Sequence, residues 1–332
     1  MSDPLLLGVD GGNSKTIALL ARRDGSIVGA GRAGACDHYV EPRPGAAYDE
    51  IAKAISAALE AADAVVAQIE RGVLSLAGAD WPEDREAYAR EVSSRLGASA
   101  PLTVVNDALG ALRGGTTDGV GVAIVCGTGT AVGARAGDGR SWNVSFWAEP
   151  SYRYSLARGA VEATIEAELG IGEPTLLQQL VPASTGHTSV EELLRAMTLL
   201  GRTRPTLSRT AIALLDAAEQ GDATAHRVIG EVGHAMVQMA RTAARNAGLE
   251  TPSPVVLAGG LFRHPSERLA EAIAAELPES EIVMARFEPA VGALLLAYDE
   301  QGLEPDMEQL TDTIPPAELY ATIGVDTPTI WL

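Results

Sequence analysis

The chain has 332 residues, 46% of them apolar, enough for roughly two domain cores, and this excludes a disordered, fibrous or disulfide-stapled miniprotein. With 25 Lys and Arg against 44 Asp and Glu the net charge is −19, and Lys15 and Lys53 are the only lysines, so a surface that tracks nucleic-acid phosphates would work against a field of the wrong sign. Two cysteines, Cys36 and Cys126, are too few for a zinc or iron–sulfur set and imply no disulfide framework. The start, Met1-Ser2-Asp3-Pro4, lacks the basic run of a signal peptide, and the longest mainly apolar stretch, residues 120–134, falls short of a bilayer span. Neither nucleic acid nor a membrane is expected as a partner, and the cytoplasm is the expected location.

In chain order, residues 5–10 and 16–20 read as two strands of a hairpin around Gly11-Gly12, followed by the turn Asp24-Gly25 and a third strand at 26–30. Apolar residues at spacings of three and four predict a helix over 46–69. A buried strand at 72–77, a helix at 83–96, a strand at 102–105 and a helix start at 108–112 follow, so strands alternate with helices and predict an α/β fold. The opening pattern then recurs: the run 122–126 meets Gly127-Thr128-Gly129-Thr130, a short strand and the turn Asp138-Gly139. The same order at nearly the same offset suggests a duplicated domain, although glycine hairpins are common. Helices are expected at 160–169, 189–200, 206–219, 223–247 and 266–276, strands at 254–257 and 281–284, and a last helix from 290 to 300 that continues into the acidic tail.

Several stretches carry chemistry. In Gly8-Val9-Asp10-Gly11-Gly12-Asn13-Ser14-Lys15-Thr16 a carboxylate ends a strand, two glycines let amides approach an anion, and hydroxyl and ammonium donors follow, which suits phosphate and Mg²⁺ but equally an ordinary polar hairpin. No glycine precedes Lys15, so this is not a Walker loop. Gly127-Thr128-Gly129-Thr130 repeats the logic, and Val255 to Gly260 is a strand opening on Gly259 and Gly260, either a face for adenosine or a tight turn. Asp107 ends a strand where ligands bind in open α/β sheets, or else is a helix N-cap. Five of the 14 aromatic residues, Trp142, Phe146, Trp147, Tyr152 and Tyr154, fall within 13 positions, as a ligand platform, a lid, a subunit contact or a local core cluster. Gly29 to Gly34 fits GxGxxG, but prolines rather than a helix follow, and neither a histidine metal motif nor a GxSxG elbow is present.

Together GVDGGNSKT, VVNDALGAL, VCGTGT and VVLAGG resemble, in order, the motifs of the BadF/BadG/BcrA/BcrD ATPase family, which includes N-acetylglucosamine kinases. The resemblance covers residues 5 to about 298 and extends to Leu76-Ala77-Gly78-Ala79, Asp37-His38 and Pro289 to Ala293. It implies two ribonuclease-H-like domains of the actin-like ATPase type around a nucleotide cleft, here 1–113, with the tail 300–332, and 114–299. It implies ATP and Mg²⁺ as cofactors, with Asp10 on the metal, Gly11, Gly12, Asn13, Ser14, Lys15 and Thr16 in the first phosphate turn, and Gly127, Thr128, Gly129 and Thr130 in the second. Gly259 and Gly260 would line the adenosine site, and Asp107 would take the proton from a sugar hydroxyl. Asp37, His38, Gly78, Asn106, Glu149 and Tyr152 complete the expected sugar site, and a homodimer is the expected assembly. The kinases' Gly-Asp-Glu-Gly-Ser segment is replaced by Ala148-Glu149-Pro150-Ser151-Tyr152, which leaves one acid. The expected function is therefore an amino-sugar kinase, or alternatively an ATP-binding sensor whose acceptor site has degenerated. The family's dehydratase activators bridge a cluster with cysteines that this chain lacks.

Overall fold

The computed structural model describes all residues except 1–2, 41–42, 98–100, 128, 148–154, 199–207, 251–252 and 322–332. It contains two five-stranded sheets with the same topology. The first comprises β1 (Leu5–Gly11), β2 (Thr16–Arg22), β3 (Ile27–Ala33), β4 (Ile69–Leu76) and β5 (Leu102–Asn106), in the order β3-β2-β1-β4-β5. The second comprises β6 (Gly121–Cys126), β7 (Thr130–Arg135), β8 (Ser141–Asn143), β9 (Val255–Ala258) and β10 (Ile282–Met284), in the order β8-β7-β6-β9-β10. In each, the first three strands pair antiparallel and the other two run parallel to the first. The duplication suggested by two glycine turns is thus matched strand by strand.

The helices follow from the patterning. In α1 (Ala46–Ala61) the expected stripe, with Ile51, Ala54, Ile55 and Ala58, is wholly buried against β2 and β3. The helix stops eight residues before the predicted end. Asp63 takes a left-handed φ of 49°, residues 66–68 form a single 3-10 turn, and Ile69 already pairs with Leu5 in β4. Only Ile69, the last residue of the run that looked helical, enters the strand, where pairing with β1 buries it; residues 62–68 stay in turns.

α2 (Pro82–Leu96), α3 (Asp107–Gly115), α4 (Leu156–Glu168), α6 (Val190–Thr198), α7 (Ser208–Glu219), α8 (Ala223–Ala247), α9 (Arg268–Glu276) and α10 (Pro289–Gln301) occupy expected positions. The predicted starts and ends at 199–200 and 206–207 lie outside the described residues. β8 and α5 (Leu177–Ser184) were not anticipated, the latter because Pro182 and a short length hide its period. α10 does not continue into the tail: Gly302, at φ 64°, ends it, and the chain turns back through α11 (Met307–Asp312) and α12 (Ala317–Tyr320). This tail lies on the first sheet, where Ile27 N donates to Thr313 Oγ1 at 2.9 Å and Asp306 N to the Asp24 carbonyl at 3.0 Å.

α3 and α10 join the two halves. A Cβ on Gly292 would lie 1.8 Å from the Gly110 carbonyl, so only glycine allows these backbones to meet. The cluster they fill takes Leu6, Ile17 and Val73 from the first sheet and Ala123, Val256 and Ala258 from the second. Arg113 of α3 grips both carboxylate oxygens of Asp299 of α10 through Nε and Nη2, at 2.7 and 3.1 Å.

Candidate active site

The site lies at the carboxyl ends of the parallel strands, where open α/β sheets bind ligands. Asp10 of β1 sits opposite Ser75 of β4, which sits opposite Val105 of β5, two residues before Asp107. The helix N-cap is Asn106 rather than Asp107: its side chain accepts from Ala108 N at 3.2 Å, leaving Asp107 as the first helical residue. Ser75, which the sequence did not single out, fixes this turn. Its buried hydroxyl accepts from Gly110 N at 3.0 Å and lies 3.2 Å from the carbonyls of Asn106 and Asp107.

Enclosure by protein pushes the Asp107 carboxyl up to about 7, and the charges of Asp10, Asp80 and Asp37 add to the effect. Asp10 is also pushed up to about 7, chiefly by burial, with Lys15 pulling it back and Glu288 pushing it up. The charge of Asp10 is thus one of the causes that keep Asp107 from ionising. Burial lowers the Lys15 ammonium, against the pull of Asp10 and Glu288. Glu288 caps no amide with its side chain; it is held by Arg263 at 2.8 Å, and both charges are felt at Lys15. Lys15 thus lies within electrostatic reach of Asp10, Arg263 and Glu288. Arg263 and Glu288 were invisible in sequence because only the fold carries them there.

The first loop fits an anion and its metal. Asn13 Oδ1 and Ser14 Oγ are buried without a hydrogen-bond partner, a costly state that a ligand would relieve. Gly12 N closes the turn on the Lys15 carbonyl at 2.9 Å, Thr16 Oγ1 bonds the Gly34 carbonyl, and Lys15 Nζ donates to the Tyr320 carbonyl of the tail. In the second loop Gly127 N bonds the Gly129 carbonyl at 2.9 Å, and neither glycine has an atom within 4 Å of where a Cβ would stand. Gly260 is equally open, whereas Gly259 has φ 100° and a Cβ there would lie 2.3 Å from the Cys126 carbonyl. The turns after β6 and β9 are thus pressed together, presenting an open backbone cradle. Thr130 Oγ1 lies 3.8 Å from Cys126 Sγ, and Thr128 lies outside the described residues.

On the far side of Asp107, Asp37 accepts from Tyr39 N at 2.9 Å, and His38 is packed among Tyr39, Tyr48 and Tyr88 with Nδ1 3.3 Å from Tyr48 Oη. Gly78, at φ 77°, lets Asp37, His38 and Tyr88 close over the end of β4. Asp80 was missed in sequence, hidden in an ordinary strand-to-helix turn; burial raises its carboxyl, and it bonds Asn106 and Ser145. Glu149, Pro150, Ser151, Tyr152 and Tyr154 lie outside the described residues, so the replaced acidic segment has no placement here. Of the five clustered aromatics, the described side chains are those of Trp142, which packs on the second core, and Trp147, which is 70% exposed with its ring 6.4 Å from that of Trp81. Among the described residues no group of three or more His, Cys, Asp or Glu is poised as a metal cluster, and no helix is long and apolar enough to cross a membrane.

Comparison with known proteins agrees with this geometry. N-acetyl-D-glucosamine kinase of Dictyostelium discoideum is 24% identical over 319 residues, 91% of this chain and all of its own. The N-acetylmuramic acid/N-acetylglucosamine kinase of Clostridium acetobutylicum is 23% identical over 235 residues, 68% of this chain and 76% of its own. A Streptomyces griseus ROK family glucokinase, solved with glucose and AMPPNP, superposes with a TM-score of 0.56 at 22% identity over 89% of this chain and 99% of its own, which shows the shared fold. The BadF/BadG/BcrA/BcrD ATPase family model matches residues 7–297. The chain, with its duplicated sheets and paired glycine turns, belongs to that family.

Proposed function

We propose that the protein is an ATP-dependent kinase acting on a hydroxyl of an amino sugar or a related sugar. The observation that carries this reading is Asp107: a carboxylate with raised proton affinity at the start of α3, at the same strand-end edge of the first sheet as Asp10 and the loop with orphaned polar atoms that follows it. Its relatives act on N-acetylglucosamine and N-acetylmuramic acid. Asp10 would hold Mg²⁺, which neutralises phosphate charge when bound; the residues fit because the loop after Asp10 leaves the buried Asn13 Oδ1 and Ser14 Oγ without partners and carries the Lys15 ammonium within electrostatic reach of Asp10.

Gly11 to Thr16 and Gly127 to Thr130 cradle the phosphates with backbone amides, and Gly259 and Gly260 leave room for adenosine. Asp107, as the ionised carboxylate, accepts the proton of the sugar hydroxyl as its oxygen bonds the γ-phosphorus and the bond to ADP breaks. Asn106 and Ser75 hold the Asp107 backbone, and Asp37, His38, Gly78, Glu149 and Tyr152 are assigned to the acceptor side. The lobes are 1–113 and 114–299 with the tail on the first, as the contacts of α11 support; α10, at the end of the second, packs on β1 and is shared.

A cytoplasmic homodimer is part of the same reading, supported by two buried free thiols and by the exposed Leu169 and Ile171 beyond α4. Light scattering on the purified chain tests the assembly. Steady-state kinetics over N-acetylglucosamine, glucosamine, N-acetylmuramic acid and neutral hexoses test the activity. One strongly responding sugar is expected, with N-acetylglucosamine turned over less efficiently than a modified or larger relative. Basal hydrolysis with no sugar response would instead indicate a nucleotide-driven sensor.

A further inference from the structure

Four polar side chains close a ring across the two lobes beside the catalytic helix. Ser145 Oγ donates to Asp80 Oδ1 at 2.5 Å, and Asn143 Nδ2 donates to Ser145 Oγ. Arg85 donates to Asn143 Oδ1 at 2.9 Å and, through Nε, to the carbonyl of Ala79 at 3.1 Å, next to Asp80. Asp80 lies in the turn between β4 and α2 and Arg85 in the first turn of α2, whereas Asn143 ends β8 of the other sheet and Ser145 opens the 3-10 turn that follows it.

The ring reaches the catalytic helix through one atom. Asp80 Oδ1 also accepts from Asn106 Nδ2 at 3.1 Å, and the Asn106 side chain caps the helix that opens with Asp107. Asp84 fixes the base of this arrangement, its Oδ2 accepting from Asp80 N at 3.2 Å and Trp81 N at 2.8 Å. Two further observations mark the place as a built junction. Ser145 is one of two described non-glycine residues at positive φ, 42°, a conformation that persists only where its surroundings enforce it. The exposed indoles of Trp81 and Trp147 meet immediately outside it, one from each lobe.

We propose that Asp80 is a positioning residue for phosphoryl transfer, which ties Ser145 of the second lobe to the Asn106 cap and so sets Asp107 only when the lobes are engaged. This rests on Asp107 being the proton acceptor. In an open cleft Ser145 leaves Asp80, whose carboxylate then faces Asn106 without the second-lobe donor that fixes its rotamer; in the closed one both donors meet on a single carboxylate oxygen. A positioned base contributes through orientation, so loosening its cap lowers turnover while leaving nucleotide contacts intact.

The experiment uses the full chain and compares Ser145→Gly, Asp80→Asn, Asp80→Ala and the double variant Asp80→Ala/Ser145→Gly. Readouts are kcat and the KM values for ATP and for N-acetylglucosamine, with basal ATP hydrolysis measured in parallel, the melting temperature, and amide hydrogen exchange over residues 105–110. Ser145→Gly relieves the positive φ, so its melting temperature holds or rises, whereas kcat falls about tenfold or more, KM for ATP is unchanged and exchange at the start of α3 quickens. Asp80→Asn, which keeps an accepting oxygen, loses less than Asp80→Ala, and the double variant is no worse than Asp80→Ala alone.

The proposal is overturned if Ser145→Gly keeps its turnover, if the two losses multiply, or if kcat falls only in step with melting temperature. Normal turnover of Asp107→Asn alongside quickened exchange in Ser145→Gly would remove the catalytic reading of Asp107 and reduce the ring to a structural tie. An inactive Asp107→Asn with unaltered exchange in Ser145→Gly would leave that reading standing and defeat the coupling alone.

Discussion

Replacing Asp107 by Asn tests the chemistry and the electrostatics together. The amide keeps the carboxylate's shape but cannot accept a proton, so turnover should fall by about 10²–10⁴-fold while nucleotide affinity is retained. The same substitution should stabilise the protein. In the folded chain Asp107 is raised from the ordinary 3.8 to about 7, so it holds its proton where the unfolded chain releases it. Below about pH 4 both states are protonated and the acid costs nothing. As pH rises toward 7 the unfolded state gains by ionising and the folded state does not, so stability falls and stays lower above pH 7.

Roughly three units at about 1.4 kcal/mol each give a ceiling of about 4 kcal/mol. Asp107 is only half-buried, and the resulting solvent screening brings the expected gain in Asp107→Asn to about 1–3 kcal/mol at pH 8, or several degrees of melting temperature. Thermal unfolding of the nucleotide-free protein at pH 4 and pH 8 measures this, with the gain present at pH 8 and nearly absent at pH 4. Near-normal turnover would refute the proton-acceptor role, and a variant no more stable at pH 8 than at pH 4, each against the parent, would refute the electrostatic reasoning.

Asp10→Ala should weaken the Mg²⁺ dependence and the turnover together, since a hard cation on phosphate oxygens needs an oxygen anchor; a Mg²⁺ titration indistinguishable from the parent's would remove Asp10 from the metal site. Gly259→Ala, with φ 100° and a Cβ 2.3 Å from the Cys126 carbonyl, should cost about 3 kcal/mol or more of stability, read by denaturant unfolding, because backbone rather than a flexible side chain must give way. Arg113→Leu should cost about 2–4 kcal/mol by leaving Asp299 unpaired, and a double variant with Asp299→Leu should recover part of it; equal loss in both would show that packing rather than charge sets the effect. Asn13→Ala and Ser14→Ala should each raise the apparent KM for ATP several-fold with little change in melting temperature, since neither side chain has a partner within the protein to lose.

The sequence determined the fold class, most elements and the two glycine turns, because these depend on local pattern: buried runs such as residues 5–11 and 121–126 end in glycine with polar donors immediately following. Asp10 and Asp107 were legible for the same reason, as carboxylates at strand ends. Local pattern misled where partners decide, as at Ile69, whose place in β4 depends on pairing with Leu5. The tertiary structure alone brought Asp80 to Ser145 and the Arg263–Glu288 pair within electrostatic reach of Lys15, each lying on an unremarkable turn or helix start. It alone raised Asp10 and Asp107 together, since proton affinity follows from enclosure and neighbouring charge, neither of which residue spacing encodes. The meeting of Ser145 with Asp80 belongs to the same class: two hydrogen-bonding groups 65 positions apart become chemistry only once two copies of one sheet face each other.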